Sequence, residues 1–320
     1  MGFLWQLSVP LAASLVLLYM MREDESLDPG PLTCGDSELR IRDRVIVITG
    51  ATGVIGYQVA LELARRGARL VLGCRDSHRG RAVRQRIVEA TNNTRVSVAG
   101  LDLASIRHVS TFAWNILDKM ELDRVDVLIN AAATAPRGWG EREVTSEGLE
   151  RVMATNLLGP MHLTNRLLKA FSEDAVVINL VEAKPDKMEA DIDNINSAET
   201  YDAGHVYQQS KYYLRLVTQE MAGRFSKVRP GLRVHSVEPS PVMSSLHSPV
   251  PAWLTRALLP LLGQTSQARE AARTAVWLAG GGAEEAGGTW GSCQMVTERE
   301  EGDTGGLWRR CEELIHNALA

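Results

Sequence analysis

Between Arg44 and Pro239 the chain repeats one unit: a short apolar run rich in Val and Ile, then a stretch long enough for a helix. The runs are RVIVITG, ARLVLGCR, RVSVAGLDL, VDVLINAAA, DAVVINLV and LRVHSVEP. None alternates polar with apolar residues over its core, so each strand must be covered on both faces. Segments such as YQVALELARRG and HVSTFAWNILDKM carry apolar residues at helical spacing between the runs. Strands of this kind joined by helical crossovers predict an α/β fold, a doubly wound parallel sheet of the Rossmann type. SQAREAARTAVWLAG, AWLTRALLPLLG and GLWRRCEELIHNAL predict further helices towards the C-terminus. With 320 residues, 45% of them hydrophobic, the chain can bury one large core, and residues 43–320 are assigned to a single domain.

The start of the chain is different. Residues 3–21 (FLWQLSVPLAASLVLLYMM) contain no charge, and a helix of that length spans roughly 28 Å, about the thickness of a bilayer core. Residues 1–21 are therefore read as an uncleaved membrane anchor. A cleaved signal peptide fits less well, because no Lys or Arg precedes the apolar stretch. The polar, Pro- and Gly-rich residues 22–42 form a linker. Arginines follow the anchor and none precedes it, which favours a body facing the cytosol, with the endoplasmic reticulum as the membrane. Asn92-Asn93-Thr94 has the pattern of an N-glycosylation acceptor, which bears only on a lumenal body. The net charge of -4 gives no electrostatic basis for binding nucleic acid. Cys34, Cys74, Cys293 and Cys311 form no CxxC motif, and the default is a reduced, disulfide-free chain. The seven histidines show no metal-ligand spacing.

Three local patterns carry chemistry. VIVITGATGVIG sets Thr49, Gly50, Gly53, Val54, Ile55 and Gly56 at the junction of the first strand and first helix, where residues without Cβ let backbone approach a pyrophosphate. The second strand ends in GCRD, and Arg75 at that edge favours a 2′-phosphate, hence NADP(H) over NAD(H). YQQSK places Tyr207 and Lys211 four apart on one helical face, and a nearby ammonium makes a phenol a usable acid or base.

With these motifs the chain, from about Arg42 to its C-terminus, resembles the short-chain dehydrogenases/reductases, and within them the membrane-anchored retinol-dehydrogenase-like group. TGATGVIG resembles the cofactor turn, LDL with Asp102 and Leu103 the adenine contact, and INAAA with Asn130 the strand end that supports the cofactor. TNLLG with Asn156 resembles the site of the proton-relay asparagine. VEPSPVMSSL resembles the segment along the nicotinamide, with Pro239, Val242 and Ser244 in matching places. The resemblance implies that Tyr207 passes a proton to or from the reacting oxygen while hydride moves to or from the nicotinamide, that Lys211 also binds the nicotinamide ribose, and that the chain forms a homo-oligomer. The substrate it implies is a lipophilic carbonyl or alcohol, such as a retinoid, steroid or lipid aldehyde.

The chain departs from that pattern at telling places. Ala131 and Ala133 replace an asparagine and a glycine, and Ser240 replaces the glycine after Pro239. In INLVEAK the family has paired serines, the second of them catalytic, but here Val181 and Glu182 occupy the positions. Loss of one oxyanion-type donor costs on the order of 10² to 10³ in rate, and an ionised carboxylate would oppose negative charge on the tyrosine or substrate. Two readings follow: an oxidoreductase with Glu182 in the serine's role, and a cofactor-binding protein with little turnover. A nucleotide-sugar epimerase shares the glycine turn and Tyr-x-x-x-Lys but fits the C-terminal region less well.

Overall fold

The computed structural model describes residues 34, 39–137, 141–183, 188–240, 266–283, 285–297 and 300–320. The anchor segment, the AWLTRALLPLLG segment, Val242 and Ser244 lie outside them. Among the described residues no helix is long and apolar enough to cross a membrane.

Eight strands form one sheet in the order β3-β2-β1-β4-β5-β6-β7-β8. They are β1 (Val45–Thr49), β2 (Arg69–Cys74), β3 (Val96–Gly100), β4 (Val125–Asn130), β5 (Phe171–Leu180), β6 (Arg233–Val237), β7 (Thr289–Gly291) and β8 (Gln294–Thr297). All pairings are parallel except that of β7 with β8. The helices are α1 (Val54–Arg65), α2 (Ser77–Thr91), α3 (Ile106–Asp118), α4 (Arg151–Met153), α5 (Gly159–Leu167), α6 (Val206–Val228), α7 (Ser266–Ala279) and α8 (Thr304–Leu319), with a π-helical turn, Ala154–Leu158, joining α4 to α5.

Apart from the edge strand β3, in which only Val96 is fully buried, the apolar runs behave as their composition requires. In β1, Val45 and Val47 enter the core shared with α3, α5, α6 and α8, while Ile46 and Ile48 enter the core shared with α1 and α7. Alternate residues thus feed two cores, and a polar residue at any of these positions would be buried on one side or the other. Two helix starts are set by short polar side chains: Asp76 accepts from the amides of His78 and Arg79 before α2, and Ser105 from that of His108 before α3. In α2 only Gly80 and Ile87 are buried, so this helix lies on the surface, and it ends at Asn92 with φ 55°.

β1 pairs with β2 on one side and β4 on the other, so the strand order reverses beside β1, where the chain returns from β3 to β4. A crevice opens at the C-terminal ends of these strands, where ligands of open α/β sheets bind. The expectation of a disulfide-free chain is corrected: Cys34 and Cys293 are bonded, with Cα atoms 5.7 Å apart, while Cys74 and Cys311 are free and buried. Spacing in sequence gave no sign of this pairing, because its partners are 259 residues apart and meet only once β7 and β8 are in place.

Candidate active site

The glycine turn lies between β1 and α1. Gly50 has φ +75°, and a Cβ there would lie 2.5 Å from the Ala132 amide nitrogen. A Cβ on Gly56 would lie 2.4 Å from the Gly50 carbonyl oxygen. Both positions therefore exclude a side chain for reasons internal to the turn, and the turn is held against the loop after β4 by the Ala132 amide donating to Thr49 Oγ1 at 3.2 Å. Gly53 caps α1 without a side-chain hydrogen bond, so no side chain screens the first-turn amides of α1 from an anion.

At the end of β4, Asn130 donates to Asn179 Oδ1 on β5 at 2.8 Å, and Asn179 donates to Thr218 Oγ1 on α6 at 2.8 Å. This buried chain fixes the neighbouring strand ends to the helix that carries Tyr207 and Lys211. Asn130 Oδ1 has no partner among the described residues. Ala131, Ala132 and Ala133 are only partly buried, and they pack against the cores.

Asn156 sits in the π-helical turn, fully buried. Its Oδ1 accepts from the Thr134 amide at 2.8 Å, and its Nδ2 lies 2.9 Å from both the Thr134 carbonyl and Ser210 Oγ. Ser210 in turn donates to the Tyr207 carbonyl at 2.6 Å. Asn156 is thus linked to α6 at Ser210, three residues after Tyr207 and one before Lys211. Arg151 reinforces the same loop, donating to Thr134 Oγ1 at 2.6 Å and the Ala135 carbonyl at 2.7 Å.

Tyr207 and Lys211 face the end of β5. The Tyr207 hydroxyl donates to Glu182 Oε1 in a short hydrogen bond, and Lys211 donates to the Leu180 carbonyl at 2.7 Å. The expectation that the Lys211 ammonium eases the phenol's ionisation is corrected: burial, then the Glu182 charge and hydrogen bond, holds the Tyr207 phenol above its ordinary range. Burial pushes Lys211 down to about 8, against the opposing pull of Glu182. Val181 is buried in the core and offers no hydroxyl.

Behind Glu182 stands Arg215, whose side chain is 3% exposed. It donates to the Glu182 carbonyl at 3.3 Å and to Thr289 Oγ1 at 3.1 Å, and it pairs with Glu300 at 2.6 Å and Glu238 at 3.5 Å. A buried arginine needs such partners, since an unpaired one costs several kcal/mol. No sequence motif marks Ser210, Asn179, Thr218 or Arg151. For Arg215 a signal exists: Tyr207, Lys211 and Arg215 continue one i, i+4 stripe on α6.

The other predicted positions fall around this centre. Arg75 is exposed at the end of β2. Asp102 accepts from the Ala104 amide at 3.0 Å, and its own amide donates to His108 Nδ1. Leu103 is buried, and its carbonyl lies where a Cβ on Gly159 would clash. Pro239 and Ser240 follow β6 and are half-buried. His205 is exposed and pairs with Asp202 at 2.6 Å at the start of α6. No metal-holding cluster occurs among the described residues.

A family model described as short chain dehydrogenase matches residues 44–255, which include every one of these positions. The chain belongs to the short-chain dehydrogenase family. It resembles the retinol-dehydrogenase-like group within that family. Retinol dehydrogenase 11 of Homo sapiens is 34% identical over 257 residues, 78% of each chain. Retinol dehydrogenase 12 of Bos taurus is 33% identical over 233 residues, 72% of each chain. Among solved structures, an uncharacterized protein from Mycobacterium Paratuberculosis matches with TM-score 0.69 at 25% identity, covering 87% of this chain and 96% of that one. A Pseudomonas aeruginosa RhlG/NADP active-site complex matches with TM-score 0.59 at 22% identity, covering 82% and 98%, and supports the fold. As a short-chain dehydrogenase, the chain has a nicotinamide dinucleotide as its implied cofactor, and the glycine turn, the uncapped α1 N-terminus and the Asn130 strand end fit that group.

Proposed function

We propose that this short-chain dehydrogenase is an NADP(H)-dependent reductase of lipophilic carbonyl compounds, retinoid-like aldehydes among them, held at a membrane by residues 3–21. The observation that carries the reading is the joining of Tyr207, Lys211, Asn156 and Glu182 at one strand end. The bound dinucleotide supplies hydride. Tyr207, kept as a phenol by burial and Glu182, supplies the proton to the nascent alkoxide, and Lys211, held to the Leu180 carbonyl on the same face of α6, is placed beside the same strand end. Asn156 and Ser210 hold the helix and loop in register, and Glu182 takes the serine's place beside the Tyr207 hydroxyl.

NADP(H) is favoured by the end of β2. Asp76 accepts two amides of α2 and is held below the usual carboxylate range by them, so its charge serves the helix. Arg75 and Arg79 remain beside it, and both are exposed. The curated relatives named as retinol dehydrogenases support a retinoid-like substrate.

A second reading rests on the Glu182–Tyr207 hydrogen bond itself. It directs the phenol's proton to a carboxylate, and a protein so arranged would bind cofactor and turn over little. The purified protein with NADPH and a panel of retinals, steroid ketones and long-chain aldehydes separates the two. Turnover that disappears in Tyr207→Phe supports the reductase. NADPH binding without turnover, together with activity gained in Glu182→Ser, overturns it in favour of the second.

A further inference from the structure

We propose that Asn92 is an N-glycosylation site and that the folded body faces the oxidising side of the membrane. Two independent features point there. The first is the disulfide between Cys34 and Cys293, whose Cα separation of 5.7 Å is ordinary for a bridge. Such bonds persist in secreted and endoplasmic-reticulum lumenal proteins and are removed by the thiol pools of the cytosol. The second is the acceptor sequence Asn92-Asn93-Thr94, in which the middle residue is not proline.

The folded chain has room to carry a glycan at that sequence. Asn92 and Thr94 are exposed, and neither side chain hydrogen-bonds among the described residues. Asn93, between them, is the residue that ties down the loop: its Nδ2 donates to the Ala64 and Ala68 carbonyls at 2.9 and 2.8 Å, and its Oδ1 accepts from the Arg95 amide. Asn92 follows α2, whose exposed surface leaves room for a bulky glycan. Because α2 runs back from the end of β2 to the start of β3, Asn92 stands at the N-terminal edge of the sheet, opposite Tyr207 and Glu182. A glycan there leaves the crevice open.

The arginines after the anchor segment do not oppose this placement strongly. In the first 20 residues beyond Met21 only Arg22 and Arg40 are basic, so the charge bias that would hold the body in the cytosol amounts to two residues.

The test is the full chain expressed in mammalian cells, with gel mobility compared before and after peptide-N-glycosidase treatment. Glycan transfer precedes completion of folding, so variants that fold poorly still report on the site. The expected result is a single-step gain in mobility that is lost in Asn92→Gln and Thr94→Ala but kept in Asn93→Gln and Thr94→Ser. Thiol alkylation of the denatured chain supplies the independent check: two cysteines reacting before reduction and four after it support the placement. A chain whose mobility the glycosidase leaves unchanged, or one in which all four cysteines react without reductant, overturns the proposal.

Discussion

Glu182 concentrates the chemistry of the site into one side chain. Serine at this place would offer a donor at every pH, whereas a carboxyl group donates only while protonated. Glu182→Ser is therefore expected to raise carbonyl reduction by about 10-fold or more, read from initial rates with NADPH. Lys211 gives a separate prediction that does not depend on turnover. Its folded value is depressed to about 8 from 10.5, so between those values the unfolded chain binds more protons than the folded one, and stability rises with pH. Tyr207, shifted upward from 10, reverses the trend above about pH 10. The net window is roughly pH 8 to 10, with a slope of at most about 1.4 kcal/mol per pH unit. Denaturant midpoints across this window should rise for the natural chain and stay level for Lys211→Met.

At the scale of elements, the site is a set of strand ends and helix starts held in register. Gly50→Ala would drive a Cβ into the Ala132 backbone at a φ of +75°, costing about 1–3 kcal/mol in strain and loosening the turn against the loop after β4. NADPH affinity, measured by fluorescence titration, should fall by at least about 10-fold. Arg215→Met should leave α6 intact but remove the hydrogen bond to the Glu182 carbonyl and the ion pair with Glu300, lowering thermal stability by several degrees. The strands, the glycine turn and the Tyr207–Lys211 face were legible because each follows from a local period or a backbone requirement. The links from Asn156 through Ser210 to Tyr207, and from Arg215 to Glu182, were not. They join residues 54 and 33 apart in sequence and exist only after the sheet has brought β4, β5 and α6 together. Glu182 itself was legible as a departure, but its contact with Tyr207 needed the folded geometry.

At the scale of the whole molecule, residues Leu32–Ala320 form one compact unit, and the bond between Cys34 and Cys293 ties its beginning to the edge of its sheet. Cys34→Ser is expected to lower unfolding free energy by about 2–5 kcal/mol in denaturant titrations. The pairing was illegible in the sequence for the reason that it is effective: a bridge that closes a long loop joins residues no local pattern connects. It also sets a mechanical path. Tension applied between the N-terminal segment and the C-terminus runs from Cys34 across the bridge to Cys293, and then only through residues 294–320. The intervening strands, including every element around Tyr207, are out of the load line. In a single-molecule pulling trace the oxidised chain should yield only the short extension of that tail, and a reducing agent should convert it into the long extension of the whole sheet.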